Sequence, residues 1–215
     1  MTVWDEVFST NAWGRWPDID VVRATTRLTR AAGRALDVLE IGCGPGAQLR
    51  FYAEEGHRSV GLDISAVGLR TAQERIRADG TAVSLVQADS RRLPCADERF
   101  DLVVDVEAFA HSPHDELAEL WSEAARVLRP GGHLVSIGFT PGTTGAPQPS
   151  ASTTTSIDHG PLAGLGFVGF VTVDSAREAG AATGLHPLST TVRSRRNDDD
   201  GWVIEELVIV AKRVA

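Results

Sequence analysis

The chain has 215 residues, 42% of them apolar, with 21 basic and 29 acidic side chains for a formal net charge of −8. That length supports one domain with a full core, and the apolar content excludes wholesale disorder. The acidic balance weighs against a nucleic-acid backbone or an anionic membrane as partner, because both need a basic face.

Residues 1–34 read as a cap: an aromatic-rich stretch with Trp4, Phe8, Trp13 and Trp16, then a helix over 19–32. The start, M-T-V-W-D-E-V-F, lacks a basic region followed by an apolar run, and no stretch reaches transmembrane length. A reduced cytoplasm is the expected setting. From residue 35 strands and helices alternate. A-L-D-V-L-E-I-G (35–42) is strand-like and leads into a glycine-rich turn with Gly42, Gly44 and Gly46 at alternate positions. A helix over 46–56 stops at glycine. S-V-G-L-D-I-S (59–65) is a second strand, followed by a helix over 66–78. A-V-S-L-V-Q-A-D (82–89) and F-D-L-V-V-D-V-E-A-F (100–109) are the third and fourth strands. An amphipathic helix over 113–128 ends at R-P-G-G, and H-L-V-S-I-G-F (133–139) is the fifth strand. Strands spaced by short helices imply right-handed βαβ units and a mainly parallel sheet.

Residues 141–172 break that rhythm. Their Thr, Ser, Pro and Gly content reads as a linker or a lid, and a loop of this length inside a domain favours the lid. Residues 173–215 return to order, with a helix over 174–183 and two strands, 186–194 and 202–212, joined by the polar turn R-R-N-D-D-D-G. A hairpin of this kind is antiparallel. The whole reads as a single domain, 1–215, with 35–140 as its ligand-binding core. The two cysteines, Cys43 and Cys95, have no His or Cys partner at ligand spacing, so neither a metal site nor a disulfide framework is expected.

A strand ending in a glycine turn that opens a helix is the usual ligand site of an open α/β sheet. The spacing here is G-x-G-x-G rather than the G-x-G-x-x-G of dinucleotide folds. Three acidic residues, Glu40, Asp63 and Asp89, stand at successive strand ends, and L-P-C-A-D-E-R-F-D-L-V-V-D (93–105) and E-A-A-R-V-L-R-P-G-G-H-L-V-S (123–136) follow. Together these resemble the class I S-adenosylmethionine-dependent methyltransferases of small-molecule type, over roughly residues 35–140.

The resemblance implies an α/β, Rossmann-like three-layer sandwich: a seven-stranded, mainly parallel sheet with a C-terminal antiparallel hairpin and an N-terminal helical cap. It implies S-adenosyl-L-methionine as cofactor and S-adenosyl-L-homocysteine as product. Asp63 then matches the acceptor for the ribose diol, Asp89 the acceptor for the adenine amine, and Ser90 supplies a backbone N–H. Ile64 lies against the adenine face. Gly42, Gly44 and Gly46 let the backbone approach the methionine end, and Glu40 organises that loop. Asp105 is expected to line the cofactor pocket, and Arg15 to meet the cofactor carboxylate from the cap.

Methyl transfer holds acceptor and methyl in line, excludes water and in some cases removes a proton from the acceptor. V-E-A-F-A-H-S-P-H (106–114) follows the fourth strand, where the acceptor belongs, and offers Glu107, Phe109, His111 and His114. His111 is the first candidate for a general base, with Glu107 beside it as a catalytic candidate and His159 of the lid as a further one. No Asp/Asn-Pro-Pro-aromatic signature of amino-group nucleic-acid methyltransferases follows the fourth strand. A small-molecule acceptor is therefore expected, with oxygen favoured over nitrogen or carbon, no nucleic acid or membrane partner, and a homodimer left open. The rival readings are an NAD(P)-dependent oxidoreductase, which shares the strand–glycine–helix start, and a non-catalytic S-adenosylmethionine-binding protein or partner subunit.

Overall fold

The computed structural model describes residues 2–11, 14–147 and 154–214. The cap begins with α1 (Val3–Thr10), closed by a reciprocal capping box between Thr2 and Asp5. The aromatic-rich stretch is thus partly helical, with Trp4 and Phe8 four residues apart on one face. Next comes α2 (Ile19–Ala32), capped by Asp18 and ended by Gly33 in the left-handed region. The core runs β1 (Asp37–Ile41), α3 (Leu49–Glu54), β2 (Arg58–Asp63), α4 (Ala66–Ala78), β3 (Ser84–Gln87), β4 (Phe100–Val106), α5 (Leu117–Val127) and β5 (Leu128–Phe139). Two short strands, β6 (Thr154–Ser156) and β7 (Phe167–Gly169), precede α6 (Val173–Thr183), β8 (Leu185–Arg196) and β9 (Val203–Arg213).

Seven strands form one sheet in the order β3-β2-β1-β4-β5-β9-β8, in which β9 runs against β5 and β8. Period-2 alternation divides the core into two layers. Leu39, Val103, Leu134, Leu207 and Ile209 meet Leu120 and Trp121 of α5 and Ala176 of α6 on one face. Val38, Leu102, Val104, Val135 and Val208 meet Val21 of α2, Leu49 and Tyr52 of α3 and Ile76 of α4 on the other. This is the expected three-layer sandwich. Both faces of β1 are covered, so all five of its residues are buried. Among the described residues no helix is long and apolar enough to cross a membrane.

Several boundaries differ from the sequence expectation. The helix expected from residue 46 starts at Leu49, because the glycine turn continues through Gln48. The helix expected over 113–128 opens on the 3₁₀ turn His114–Glu116 before α5, and the fourth strand, expected to reach 109, ends at Val106 ahead of a 3₁₀ turn over Phe109–His111. The R-P-G-G stretch lies within β5 rather than ahead of it, and a register shift against β4 between Phe100 and Leu102 absorbs the irregularity. In the stretch 141–172, β6 and β7 pair antiparallel. Ile157, Leu162, Val168 and Phe170 there form an apolar cluster with Ala110 and Phe139, which anchors the segment at the carboxyl end of the sheet.

Candidate active site

The carboxyl ends of β1, β2 and β4 open on a cavity of about 600 Å³. Its floor is the turn after β1, where Gly42, Gly44 and Gly46 have φ of 66°, 48° and 80°. These angles favour glycine, and at Gly42 space requires it as well. A Cβ on Gly42 would come within 2.2 Å of the Ala108 methyl, and one on Gly44 would touch the Phe8 ring at 3.0 Å. The loop after β4 and the cap helix α1 therefore both close directly on the glycine turn.

Asp63 ends β2 and wires the floor together. Its Oδ2 accepts from the Gly44 N–H and its Oδ1 from the Ser65 N–H, each at 2.7 Å. Burial raises its carboxyl above the ordinary value, opposed by these two donors. Each oxygen still has a lone pair for a ligand. Glu40 is buried behind the turn, where burial and then the neighbouring Asp63 push it well up. Among the described residues its Oε2 has no hydrogen-bond partner, an orphaned acceptor on the cavity wall.

Asp89 and Ser90 line the far end of the cavity with Ile64, which is 41% exposed. Arg91 folds back over Asp89, with Nε at 3.0 Å from both oxygens and Nη2 at 2.5 Å from Oδ2, and reaches Glu116 at 3.0 Å. Those bonds hold Asp89 below its usual range. Nothing in the Asp89 motif alone announces this cover, which depends on the loop bringing Arg91 and Glu116 together.

Three expected site residues lie elsewhere. Asp105 does not line this cavity. Strand alternation turns it to the α5/α6 face, where Ser136 donates to Oδ2 at 2.6 Å and the Phe109 N–H to Oδ1 at 3.0 Å. It orients the loop that carries Phe109 and His111. Gly46 packs against Ala72 and Leu49 and serves the turn rather than the cavity wall. Arg15 is exposed, while its neighbours Gly14 and Trp16 line the cavity; Trp13 lies outside the described residues.

The cap is locked down by a residue the sequence did not single out. Asp5 Oδ1 accepts from the Ser65 hydroxyl at 2.7 Å and from the Val67 N–H at 3.3 Å. This ties α1 to the first turn of α4 and brings Trp4 and Phe8 over the cavity. The T-x-x-D capping pattern at residues 2–5 was the signal available for it.

On the acceptor side, the His111 imidazole lines the cavity edge-on to Trp4, with ring centroids 4.6 Å apart. Its Nδ1 is 3.0 Å from the Phe167 carbonyl oxygen. A carbonyl only accepts, so Nδ1 carries the hydrogen and Nε2 keeps the lone pair. Burial pushes the imidazole down to about 4, so it is uncharged at neutral pH. His159 is exposed, paired with Asp158 at 2.7 Å, and is not on the cavity wall. Glu107 has a left-handed backbone, φ 64°, which directs Ala108 onto Gly42. Its carboxyl meets that of Glu206 on β9, and burial followed by that neighbour raises it to about 8. Glu206 is fully buried and is held by Arg193 at 2.9 Å and Arg195 at 3.2 Å; Arg193 also reaches Asp18 at 2.7 Å and Asp20 at 2.9 Å. Apart from Glu107, the members of this cluster come from the two ends of the chain, so no local sequence pattern announces it.

Three features fit S-adenosylmethionine: carboxylates at the ends of β1, β2 and β3, an orphaned buried carboxylate oxygen behind the glycine turn, and an acid-rich wall suited to a ligand with sulfonium and ammonium charges. Residues 38–132 match the methyltransferase domain family. The chain is similar to methyltransferase GfsG of Streptomyces halstedii, 36% identical over 135 residues, which cover 57% of this chain and 48% of that protein. The chain thus spans about half the length of that curated relative. Among solved structures it resembles an S-adenosylmethionine-dependent methyltransferase of Methanosarcina mazei, with a TM-score of 0.70, 20% identity, and 84% of this chain and 93% of the other covered. It also resembles a 1,6-didemethyltoxoflavin N1-methyltransferase of Burkholderia thailandensis, solved with its substrate and S-adenosylhomocysteine. There the TM-score is 0.67 at 19% identity, with 90% and 77% covered. Taken with the sheet order and the acidic strand ends, the match over residues 38–132 gives the chain its likeness to the class I S-adenosylmethionine-dependent methyltransferases.

Proposed function

We propose that this chain transfers a methyl group from S-adenosylmethionine to a small-molecule acceptor, with an acceptor oxygen preferred over nitrogen or carbon. The observation that carries the donor half is Asp63, at the end of β2, joined to the Gly44 and Ser65 amides. Asp63 would take the ribose diol, Asp89 and Ser90 the adenine edge, and Ile64 the adenine face. Glu40 and the carbonyls of the glycine turn would hold the ammonium of the methionine end. When bound, S-adenosylmethionine supplies a methyl group activated by its sulfonium.

The acceptor half rests on His111. Its free Nε2 is suited to receive the proton of an acceptor hydroxyl, while the Phe167 carbonyl fixes the tautomer. Glu107, protonated near neutral pH, is a hydrogen-bonding wall rather than a base. Trp4 and Phe8 keep water from the reacting end. The net charge of −8 and the small-molecule substrate of the Burkholderia neighbour support a small acceptor.

Calorimetry with S-adenosylhomocysteine and with NADH tests the donor assignment. Binding of S-adenosylhomocysteine alone is expected; binding of NADH with no response to S-adenosylhomocysteine would overturn it.

A further inference from the structure

Two carboxylates, Asp63 and Asp89, stand where the nucleoside part of the cofactor is placed, and they differ in what already holds them. Asp63 accepts one amide on each oxygen and stays open to a ligand. Asp89 is saturated by a single neighbour. Its Oδ1 accepts from the Arg91 backbone N–H at 2.9 Å and from Nε at 3.0 Å, and its Oδ2 from Nε at 3.0 Å and Nη2 at 2.5 Å. A carboxylate offers about four lone-pair sites, so these contacts leave no free site for an adenine amine. The guanidinium has a second anchor: Nη1 donates to Glu116 Oε1 at 3.0 Å. Glu116 lines the same cavity and caps the start of α5, just after the loop that carries His111. One cation is thus shared along the cavity wall by two carboxylates from different loops.

We propose that Arg91 competes with the adenine amine for Asp89, and yields the carboxylate to it by passing wholly onto Glu116. This rests on the methyl-donor reading above, in which Asp89 takes the adenine edge, and it adds a residue that sets cofactor affinity. The exchange is made by the side chain alone. The Arg91 amide stays on Oδ1, the Nε and Nη2 bonds open, and Oδ2 is freed for an N–H of the amine. The guanidinium keeps a carboxylate partner throughout, because Glu116 already holds its Nη1. The Arg91 and Asp89 side chains are 47% and 37% exposed, so opening their pair changes affinity by a few-fold rather than by orders of magnitude. The exchange also concentrates Arg91 on the acceptor side of the cavity, so the adenine end and the start of α5 respond together.

The test is calorimetry with S-adenosylhomocysteine on the wild type, Arg91→Ala, Glu116→Gln, the double variant and Asp89→Ala. Arg91→Ala should bind about threefold tighter, the opposite sign to the loss of an ordinary contact residue. Glu116→Gln removes the second anchor and leaves Arg91 on Asp89, so it should bind about threefold more weakly. In the double variant the effect of Glu116→Gln should vanish, because no guanidinium remains to be displaced. The proposal is overturned if Arg91→Ala binds equally or more weakly, if Glu116→Gln fails to weaken binding, or if it weakens binding as much without Arg91 as with it. Asp89→Ala should bind more weakly than wild type; unchanged affinity there strikes the placement of adenine on Asp89. Failure of S-adenosylhomocysteine to bind the wild type strikes the methyl-donor reading itself, which separates the three.

Discussion

The His111 ring donates through Nδ1 to the carbonyl oxygen of Phe167, 3.0 Å away on β7. One hydrogen bond thus links the candidate base to the segment that covers it, and the segment decides which ring nitrogen has the lone pair. His111→Ala should slow methyl transfer about a hundredfold to ten-thousandfold, the usual worth of a positioned base, with S-adenosylhomocysteine affinity unchanged. Because burial holds the imidazole near 4, its acid limb in a pH–rate profile should lie well below the ordinary histidine range. A limb close to 6.5, or unchanged turnover in the alanine variant, would remove His111 from the mechanism.

Asp63 carries the cofactor prediction. Asp63→Ala removes the ribose acceptor and leaves the Gly44 and Ser65 amides unpaired, at about 1–3 kcal/mol for each buried donor. Binding of S-adenosylhomocysteine should be lost in calorimetry, and Asp63→Asn should also bind poorly while keeping more of the fold's stability. Near-normal affinity in either variant would refute the assignment.

Asp105 gives a pH signature in stability rather than activity. Burial raises its carboxyl from 3.8 to about 7, so the folded protein holds this proton more tightly than the unfolded chain. Its favourable contribution is fully present below pH 3.8 and is lost as the pH rises through 7. Asp105→Asn has no proton to lose, and the Ser136 hydroxyl can turn to accept from the new amide. The melting temperature of the variant relative to wild type should therefore rise between pH 5 and pH 8. A difference independent of pH would show that the carboxyl is ordinary.

Asp5→Ala tests the cap. Losing the bonds to Ser65 and Val67 unties α1 from the first turn of α4. Dissociation of S-adenosylhomocysteine, followed by quenching of tryptophan fluorescence, should quicken about fivefold. Unchanged dissociation would mean that α1 does not close on the cofactor.

The parallel core was legible because its signals are local. Apolar runs such as L-D-V-L-E-I and F-D-L-V-V-D form strands under helices wherever both faces are covered, and the glycine spacing marks the turn at Gly42–Gly44. Glu40, Asp63, Ile64, Asp89, Ser90, Glu107 and His111 all reach the cavity wall. Asp105 was misread because alternation along β4 turns it to the opposite face from Val104, and the pattern alone does not say which face holds the ligand. Arg193 and Glu206 were not read at all: their meaning comes from contacts with Asp18, 175 residues from Arg193 in the chain, and with Glu107. The cover of Arg91 over Asp89 depends on Glu116, which strand and helix periodicity do not position.

The central claim is transfer of a methyl group to a small molecule. The most direct measurement is incubation with methyl-labelled S-adenosylmethionine and a metabolite pool, followed by separation of small-molecule, protein and nucleic-acid fractions. Label is expected in the small-molecule fraction, on a species heavier by one methyl in place of hydrogen, and should be lost in Asp63→Ala. Label confined to protein or nucleic acid, or none in any fraction although S-adenosylmethionine binds, would contradict it.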